Sequence, residues 1–312
     1  MISVALCTYN GEKYITQQLE SIANQTTHVD EIVVCDDCST DNTIQLVYDF
    51  SKRHPEIKTI IIENETNIGV RLNFEKALNT CNGDIKFLSD QDDVWFPNKV
   101  ETIVTYFENN KDITVVFSNA TLIDSENNQL TKYTFFECNG LDNYGLNLFD
   151  KGYQLNIFIT GSRACGATMA IRKDVVCNFN YPTQLYHDYI LALEAILNNS
   201  LGYITTPLMQ YRIHDKQKVG LGDSYLAPPK INIYDIGHDD FKGYDCSLEL
   251  QNELDMRDMR YSFFIMGLRG IPKILINYRK YKRNYKTEWK DFMRADIDRI
   301  IVKYRSNHKK IE

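Results

Sequence analysis

The chain has 312 residues, of which 43% are hydrophobic and 25% are charged, and these shares are ordinary for a folded globular protein. They exclude a disordered, collagen-like or coiled-coil chain, and the length allows one large domain or two of ordinary size. No apolar run approaches the roughly 18 residues that cross a bilayer, and no signal peptide is recognised at the N-terminus. We therefore expect a cytoplasmic protein whose eight cysteines are mostly reduced and buried.

The charges are distributed unevenly along the chain. Residues 257–312 hold 16 Lys and Arg against 6 Asp and Glu, whereas the remaining residues hold 19 against 36. An acidic body with a basic, aromatic-rich tail indicates an anionic surface next to that tail. The acidic body also makes nucleic acid a poor partner.

Taken in chain order, short apolar or β-branched runs alternate with segments of helical spacing. Predicted strands cover residues 2–6, 31–35, 58–63, 85–88, 113–118 and 164–172. Predicted helices cover residues 14–23, 39–52, 73–79 and 188–198, with one more starting at Pro97. This alternation predicts an α/β fold with a mostly parallel sheet between two layers of helices. Residues 124–157 show no clear period and are expected to form a loop insertion.

Polar clusters follow three of the predicted strands directly, at residues 8–11, 36–37 and 90–93. Ligands of parallel α/β sheets bind beyond the carboxyl ends of the strands. The three clusters therefore predict one binding site at this edge of the sheet.

The aspartates of the third cluster favour a divalent cation. Carboxylates that lie close together repel each other, and Asp90 and Asp92 supply the hard oxygen ligands that suit Mg²⁺ or Mn²⁺. Such an ion would neutralise a departing diphosphate. The alternative is that Asp92 or Asp93 caps the helix that starts near Pro97.

The second cluster has two interpretations of equal weight. The Asp36 and Asp37 carboxylates could accept hydrogen bonds from a base or a ribose. They could equally cap the next helix together with Ser39 and Asp41.

Later residues add a candidate base and a candidate ligand. Asp188 opens a predicted helix and could serve as a general base or only as an N-cap. His214 could bind a metal or lie on the surface. Gly166 and Thr168 could simply allow tight packing.

The ordered set of motifs resembles glycosyltransferase family 2, the inverting enzymes with the GT-A nucleotide-sugar fold, a Rossmann-like sheet. The matching motifs are Thr8-Tyr9-Asn10-Gly11, Asp36-Asp37 with the six residues after it, Asn67-Ile68-Gly69, Gly83-Asp84, Ser89 to Lys99, and His187-Asp188. The resemblance implies a catalytic domain over residues 1–215, with a nucleotide-sugar half up to about 120 and an acceptor half from about 121. It leaves an irregular connection over 216–256 and a basic, amphipathic, helical C-terminal region over 257–312.

The resemblance also implies a role for individual residues. The nucleotide end of the site is assigned to Thr8, Tyr9, Asn10, Asp37, Asn67, Arg71 and Asp90. The divalent metal, Mn²⁺ or Mg²⁺, is assigned to Asp92, with Asp90 and His214. The donor and acceptor sugars are assigned to Trp95, Gly166, Thr168 and His187. Asp188 matches the catalytic base, which takes a proton from the acceptor hydroxyl so that the anomeric configuration inverts.

The version of the motifs in this chain is similar to bacterial rhamnosyltransferases, which use dTDP-L-rhamnose in surface-polysaccharide assembly. Transfer from UDP-hexoses or UDP-N-acetylhexosamines is the alternative, and a non-catalytic nucleotide-sugar-binding protein is a further one. The basic tail is typical of a peripheral contact with the inner membrane face, where a lipid-linked saccharide acceptor would lie. The same tail could instead pack on the catalytic domain or on a second copy in a homodimer.

Overall fold

A computed structural model describes residues 1–158, 161–179 and 185–215, together with residues 217, 221, 225–226 and 228–229. The predicted C-terminal helical region, and nearly all of the predicted irregular connection, lie outside the described residues. In the part that is described, no helix is long and apolar enough to span a bilayer.

The strands of the structure form one eight-stranded sheet. They are β1 (Ile2–Thr8), β2 (Glu31–Asp36), β3 (Lys58–Glu63), β4 (Ile85–Ser89), β5 (Val94–Trp95), β6 (Val115–Ile123), β7 (Met169–Arg172) and β8 (Leu201–Arg212). Their order across the sheet is β3-β2-β1-β4-β7-β6-β8-β5. Pairing is parallel from β3 through β4 and between β6 and β8, whereas β7 and β5 pair antiparallel with their neighbours. The predicted mostly parallel α/β sheet is confirmed.

The helices lie between the strands, and five of the eight overlap the predicted helices. They are α1 (Ile15–Ala23), α2 (Thr43–Arg53), α3 (Val70–Thr80), α4 (Lys99–Asn109), α5 (Phe135–Cys138), α6 (Asn143–Asp150), α7 (Gln154–Phe158) and α8 (His187–Leu197). All residues of β2 are buried, because a strand covered by helices on both faces has no solvent side. Its neighbour β1 is buried from its second residue onward.

The expected loop over residues 124–157 is wrong, because this stretch contains α5, α6 and part of α7. Their aromatic side chains pack around Phe117 of β6, with ring centroids 5.3 Å away for Phe136 and 6.2 Å away for both Phe149 and Phe158. The helices are too short for a period to show in the sequence. They are stabilised by this apolar contact and by side-chain caps at Thr134 and, on α6, at Asp142.

Two further segments differ from the prediction. The predicted strand over 164–172 is a 3₁₀ turn at Gly166–Thr168 followed by the short β7. The strands β5 and β8 were not predicted. They hold residues 90–93 in place, because β5 follows that loop after the end of β4 and pairs with β8.

Candidate functional site

One open cavity of about 1290 Å³ lies at the carboxyl ends of β1, β2 and β4. Many of the predicted site residues line it together. They are Thr8, Tyr9, Asn10, Asp37, Asp90, Asp92, Gly166, His187, Asp188 and His214. Residues separated by up to 206 positions in sequence therefore meet at one edge of the sheet, as the strand-end rule predicted.

The loop after β1 is fixed by the third polar cluster. The Gln91 side chain accepts a hydrogen bond from the Tyr9 backbone N–H (2.8 Å) and donates one to the Tyr9 carbonyl (3.0 Å). A Cβ at Gly11 would lie against the Gln91 amide group, so a side chain there would displace Gln91 from these hydrogen bonds. With its backbone clamped in this way, Tyr9 is 44% exposed at the cavity.

The two aspartates after β2 have different surroundings. Asp36 accepts hydrogen bonds from the Ser39 N–H (2.7 Å) and hydroxyl (2.6 Å), but it does not cap α2, whose N-cap residue is Asn42. Asp37 accepts hydrogen bonds from the backbone N–H groups of Ile68 (2.7 Å) and Gly69 (2.9 Å). Gly69 has a φ of +83°, which few other residues adopt. The Asp37 carboxylate thus holds the turn that precedes α3.

Two residues assigned to the nucleotide lie near this turn but do not line the cavity. The Asn67 side chain donates to the Asp37 carbonyl (3.1 Å). Arg71 Nη1 donates to the Leu185 carbonyl (3.3 Å), which ties α3 to the segment before α8. The contacts of both side chains therefore support the loops around the site.

The loop after β4 places Asp92 beside His214. Asp92 Oδ2 lies 2.8 Å from His214 Nε2, and both side chains are largely buried. Burial, together with the nearby Asp92 and Asp188 carboxylates, raises the pKa of Asp90 to about 7. This arrangement of carboxylates with an imidazole has the donor chemistry that Mn²⁺ and Mg²⁺ accept.

The helix-capping alternative for this loop is wrong. The N-cap of α4 is Asn98, five residues beyond Asp93. Asp93 Oδ1 instead accepts the backbone N–H of Arg212 (2.9 Å), and Asp93 Oδ2 is buried without a hydrogen-bond partner among the described residues. Burial and the adjacent carboxylates raise the pKa of Asp93 well above its ordinary value.

Arg212, which the sequence analysis missed, is a fully buried cation behind this loop. Its guanidinium donates to the carbonyls of Asp92 (Nε, 2.6 Å) and Asp124 (Nη1, 2.9 Å), and to the side chain of Gln17 (Nη2, 3.0 Å). It also lies over the Tyr14 ring, 4.5 Å from the centroid. Arg212 therefore fixes the backbone that carries Asp92 and balances part of the acidic charge.

Lys99, the last residue of the motif that starts at Ser89, is a second fully buried cation, and its burial was not predicted. Its amine donates to the Ala167 carbonyl (2.7 Å) and lies 4.1 Å from the centroid of the Trp95 indole. Burial lowers the pKa of Lys99 to about 7, although Asp93 opposes this shift. The sugar-contact assignment of Trp95 is wrong, since its side chain is 3% exposed and packs against Phe87 in the core.

Asp188, the candidate base, lies in the first turn of α8. Its Oδ2 accepts the Gly166 N–H (3.1 Å) and its Oδ1 accepts the Tyr189 N–H (2.7 Å). These backbone donors fix the carboxylate at the cavity wall. Thr168 does not reach the cavity, because it is fully buried and its hydroxyl donates to the Cys165 carbonyl (2.7 Å). Its sugar-contact assignment is therefore wrong, and it stabilises the turn that positions Gly166.

His187 lies against the same turn. Its ring stacks on Phe74, with centroids 4.1 Å apart and planes 18° apart, and neither ring nitrogen has a hydrogen-bond partner among the described residues. Burial lowers the pKa of His187, although the Asp188 carboxylate opposes this shift, and so favours the neutral imidazole. Its Nε2 lies 2.7 Å from the position that a Cβ would take on Gly166, which explains why this turn carries a glycine.

Among the described residues, no three His, Cys, Asp or Glu side chains converge tightly enough to hold a metal by themselves. The pair formed by Asp92 and His214, with Asp90 nearby, is nevertheless suited to an ion that takes its remaining ligands elsewhere. Magnesium-type sites commonly combine one or two carboxylates with substrate phosphates. The residues present therefore fit a cation that is shared with a diphosphate.

Comparison with known proteins gives consistent results. The model of the family described as glycosyl transferase family 2 matches residues 3–179. The dTDP-rhamnosyl transferase RfbG of Shigella flexneri is 30% identical over 240 residues, which cover 72% of this chain and 77% of that protein. An uncharacterized glycosyltransferase of Methanocaldococcus jannaschii is 28% identical over 237 residues, which cover 73% of each chain.

Solved structures share the fold. S. aureus TarS 1–349 in complex with UDP-GlcNAc aligns with a TM-score of 0.55 at 19% identity, over 98% of this chain and 92% of that one. Mannosyltransferase PcManGT from Pyrobaculum calidifontis, in complex with GDP-Man and Mn²⁺, aligns with a TM-score of 0.51 at 15% identity, over 96% and 73% of the two chains. Since the family model spans more than half of the chain and the sheet has the architecture of these enzymes, the protein is a glycosyltransferase of family 2 with the GT-A fold.

Proposed function

We propose that the protein is an inverting, metal-dependent rhamnosyltransferase that moves L-rhamnose from dTDP-L-rhamnose to a saccharide acceptor. The observation that carries the chemistry is the Asp188 carboxylate, which backbone donors fix at the wall of the cavity that also holds Asp92 and His214. The similarity to a dTDP-rhamnosyl transferase at 30% identity supports the choice of donor.

Asp188 acts as the general base in this proposal. The Gly166 and Tyr189 amides orient the carboxylate and leave lone pairs for the acceptor hydroxyl. Once Asp188 takes the proton, the oxygen attacks the anomeric carbon on the face opposite the diphosphate, and the configuration inverts. The fixed carboxylate and the cavity wall bring the two sugars into line, which removes much of the entropic barrier.

The acidic lining explains why a diphosphate needs a cation here. Eight carboxylate side chains line the cavity against one lysine, Lys13, among the residues that the structure describes. Asp92 and His214 would hold the cation, with Asp90 beside them, and Mn²⁺ is present in the solved mannosyltransferase complex of the same fold. When bound, the ion neutralises the charge that develops on the departing nucleoside diphosphate.

The remaining residues of the proposal have supporting roles. Tyr9, Asn10 and Thr8 lie at the nucleotide end of the cavity, and Asp37 shapes the loop beside them. Gly166 and His187 border the reacting sugars next to Asp188.

We further propose a lipid-linked acceptor at the inner face of the membrane, in cell-surface polysaccharide synthesis. The basic charge of residues 257–312 supports this location, because anionic headgroups attract such segments.

Thermal unfolding with a panel of nucleotides tests the donor and the metal. We expect dTDP and dTDP-rhamnose to raise the melting temperature with Mn²⁺ and to lose that effect in EDTA, because ligands of the folded state stabilise it by mass action. A shift confined to UDP-glucose, UDP-galactose or their N-acetyl forms would show that the donor is a UDP-sugar, and the proposed enzyme class would stand. The absence of a shift with every nucleotide would reject the proposal.

Turnover by Asp188→Asn tests the base. The variant should bind the donor as the wild type does and lose at least 10²-fold in kcat, the order expected for general base catalysis. Asp112→Asn is the matched control, since Asp112 is an exposed aspartate before β6 and does not line the cavity. Wild-type turnover by Asp188→Asn would refute the role of the base.

A further inference from the structure

Two exposed tyrosines lie at the cavity, one in each half of the domain. In the described part of the chain, Tyr9 and Tyr186 are the large exposed hydrophobic residues that also line the cavity, with exposures of 44% and 43%. Tyr9 follows β1 at the nucleotide end, whereas Tyr186 is the N-cap of α8. The proposed function gives Tyr186 no role. Because Tyr186 is exposed, packing in the core does not explain why a tyrosine stands there.

The backbone around Tyr186 is held firmly. The Leu185 carbonyl accepts a hydrogen bond from Arg71 Nη1 (3.3 Å), and the Tyr186 carbonyl accepts the Ile190 N–H (3.1 Å). The ring therefore projects from a backbone that is fixed on both sides. Tyr186 is also only two residues before Asp188, so their Cα atoms lie at most about 7 Å apart.

The charge of the cavity limits what can bind next to Asp188. Among the described residues, eight carboxylates and one lysine, Lys13, line the cavity. The Lys13 amine lies 3.6 Å from the carboxylate of Glu126, so its charge is partly balanced there. A divalent cation on Asp92 and His214 would be offset by the diphosphate of the donor. Against the lining that the structure describes, an acceptor that carried a carboxylate or a phosphate on its reacting sugar would then meet mainly repulsion.

The size of the cavity allows both substrates to bind at once. Pockets for one small ligand measure roughly 300–1000 Å³, and this cavity measures about 1290 Å³. A donor at the Tyr9 end thus leaves room for a sugar ring at the Tyr186 end.

From the juxtaposition of Tyr186, Asp188 and the acidic lining, we infer an acceptor subsite in which an uncharged pyranose stacks its C–H face on the Tyr186 ring. This inference rests on the proposed function and specifies its acceptor. The negative face of an aromatic ring attracts the weakly positive C–H groups of a sugar, and no charge is needed on the ligand. The stacked ring presents one of its hydroxyl groups to the Asp188 carboxylate.

The test measures release of nucleoside diphosphate from the donor identified by thermal unfolding. Full-length protein with Mn²⁺ is supplied with neutral octyl hexosides or with the corresponding octyl hexuronides, each up to 100 mM. Release without acceptor reports donor hydrolysis and its dependence on Mn²⁺, so it tests the proposed function separately. We expect at least one neutral hexoside to stimulate release, and its hexuronide to be at least tenfold less effective in kcat/KM.

Three variants separate the roles of ring, hydroxyl and surface exposure. Tyr186→Ala should raise the KM for the neutral hexoside at least tenfold and change the donor KM less than twofold, whereas Tyr186→Phe should keep both. Tyr144→Ala is the matched control, because Tyr144 is 55% exposed and does not line the cavity. Each of three results would overturn the inference. They are hexuronides with the same kcat/KM as the hexosides, an unchanged acceptor KM in Tyr186→Ala, and no stimulation of release by any neutral hexoside.

Discussion

Substitution of Gly166 by alanine probes the packing that positions the base. The added Cβ would lie 2.7 Å from Nε2 of His187 and 3.7 Å from Cβ of Asp188. The first distance is about 0.8 Å short of an ordinary contact of about 3.5 Å. His187 cannot turn aside easily, because its ring stacks on Phe74 at 4.1 Å and lies 6.1 Å from the Phe179 ring.

The cost follows from that shortfall. Overpacking of a filled core by one methyl group destabilises a protein by about 1–3 kcal/mol. The 166 N–H also moves with the turn, so its hydrogen bond to Asp188 weakens. A base displaced by about 1 Å loses on the order of 10²-fold in rate. We therefore expect Gly166→Ala to lower the free energy of unfolding in urea by about 2 kcal/mol and kcat by roughly 10²-fold.

A double-mutant cycle decides whether the clash with His187 is the cause. In a His187→Ala background, Gly166→Ala should lower the free energy of unfolding by at least 1 kcal/mol less than in the wild type, because the imidazole that the new methyl group would contact is absent. An equal cost in both backgrounds would show that the alanine acts through the backbone, and the packing argument would be refuted.

Two further predictions concern buried charges. Glu31 lies in the core, where burial alone would raise its pKa, but hydrogen bonds from Asn82 and Lys58 outweigh burial and lower the pKa to about 2. Its ionised form therefore contributes about 3 kcal/mol above pH 4.5, a contribution that is lost as the pH falls toward 2. In urea titrations the stability difference between wild type and Glu31→Gln should shrink by about 2 kcal/mol from pH 7 to pH 3, and a constant difference would contradict the assignment. Arg212→Met leaves several buried acceptors unpaired, so it should lower the free energy of unfolding by at least about 2 kcal/mol. It should also weaken Mn²⁺ binding in calorimetry, and an unchanged Mn²⁺ affinity would argue that Asp92 needs no support from Arg212.

The sequence predicted the parts of the fold that depend on local patterns. β1 and β2 are short runs of apolar residues that end in polar clusters, and both the strands and the common edge of the sheet were predicted correctly. The family and the fold class were confirmed as well. The roles of Asp188, Asp92 and His214 remain predictions, although the structure places these side chains around one cavity.

The missed elements depend on contacts between distant residues. β8 contains Thr205 and Pro207, which interrupt a strand pattern, and the sheet accommodates them through a register shift. The side chain of Asn119 then donates to the Thr205 carbonyl (3.0 Å), which compensates for the irregular pairing. The burial of Lys99 and Arg212 was not predicted for a similar reason, because charged side chains are seldom buried and only their tertiary partners identify them.

The loop that carries the candidate metal ligands consists of only four residues, Asp90–Asp93, between the end of β4 and the start of β5. Both flanking strands belong to the sheet, and Arg212 holds the Asp92 carbonyl from behind. Few backbone rotations are therefore left for a ligand to freeze, and capture of a cation would cost little conformational entropy. Conformational ordering on substrate binding would then involve segments other than this loop.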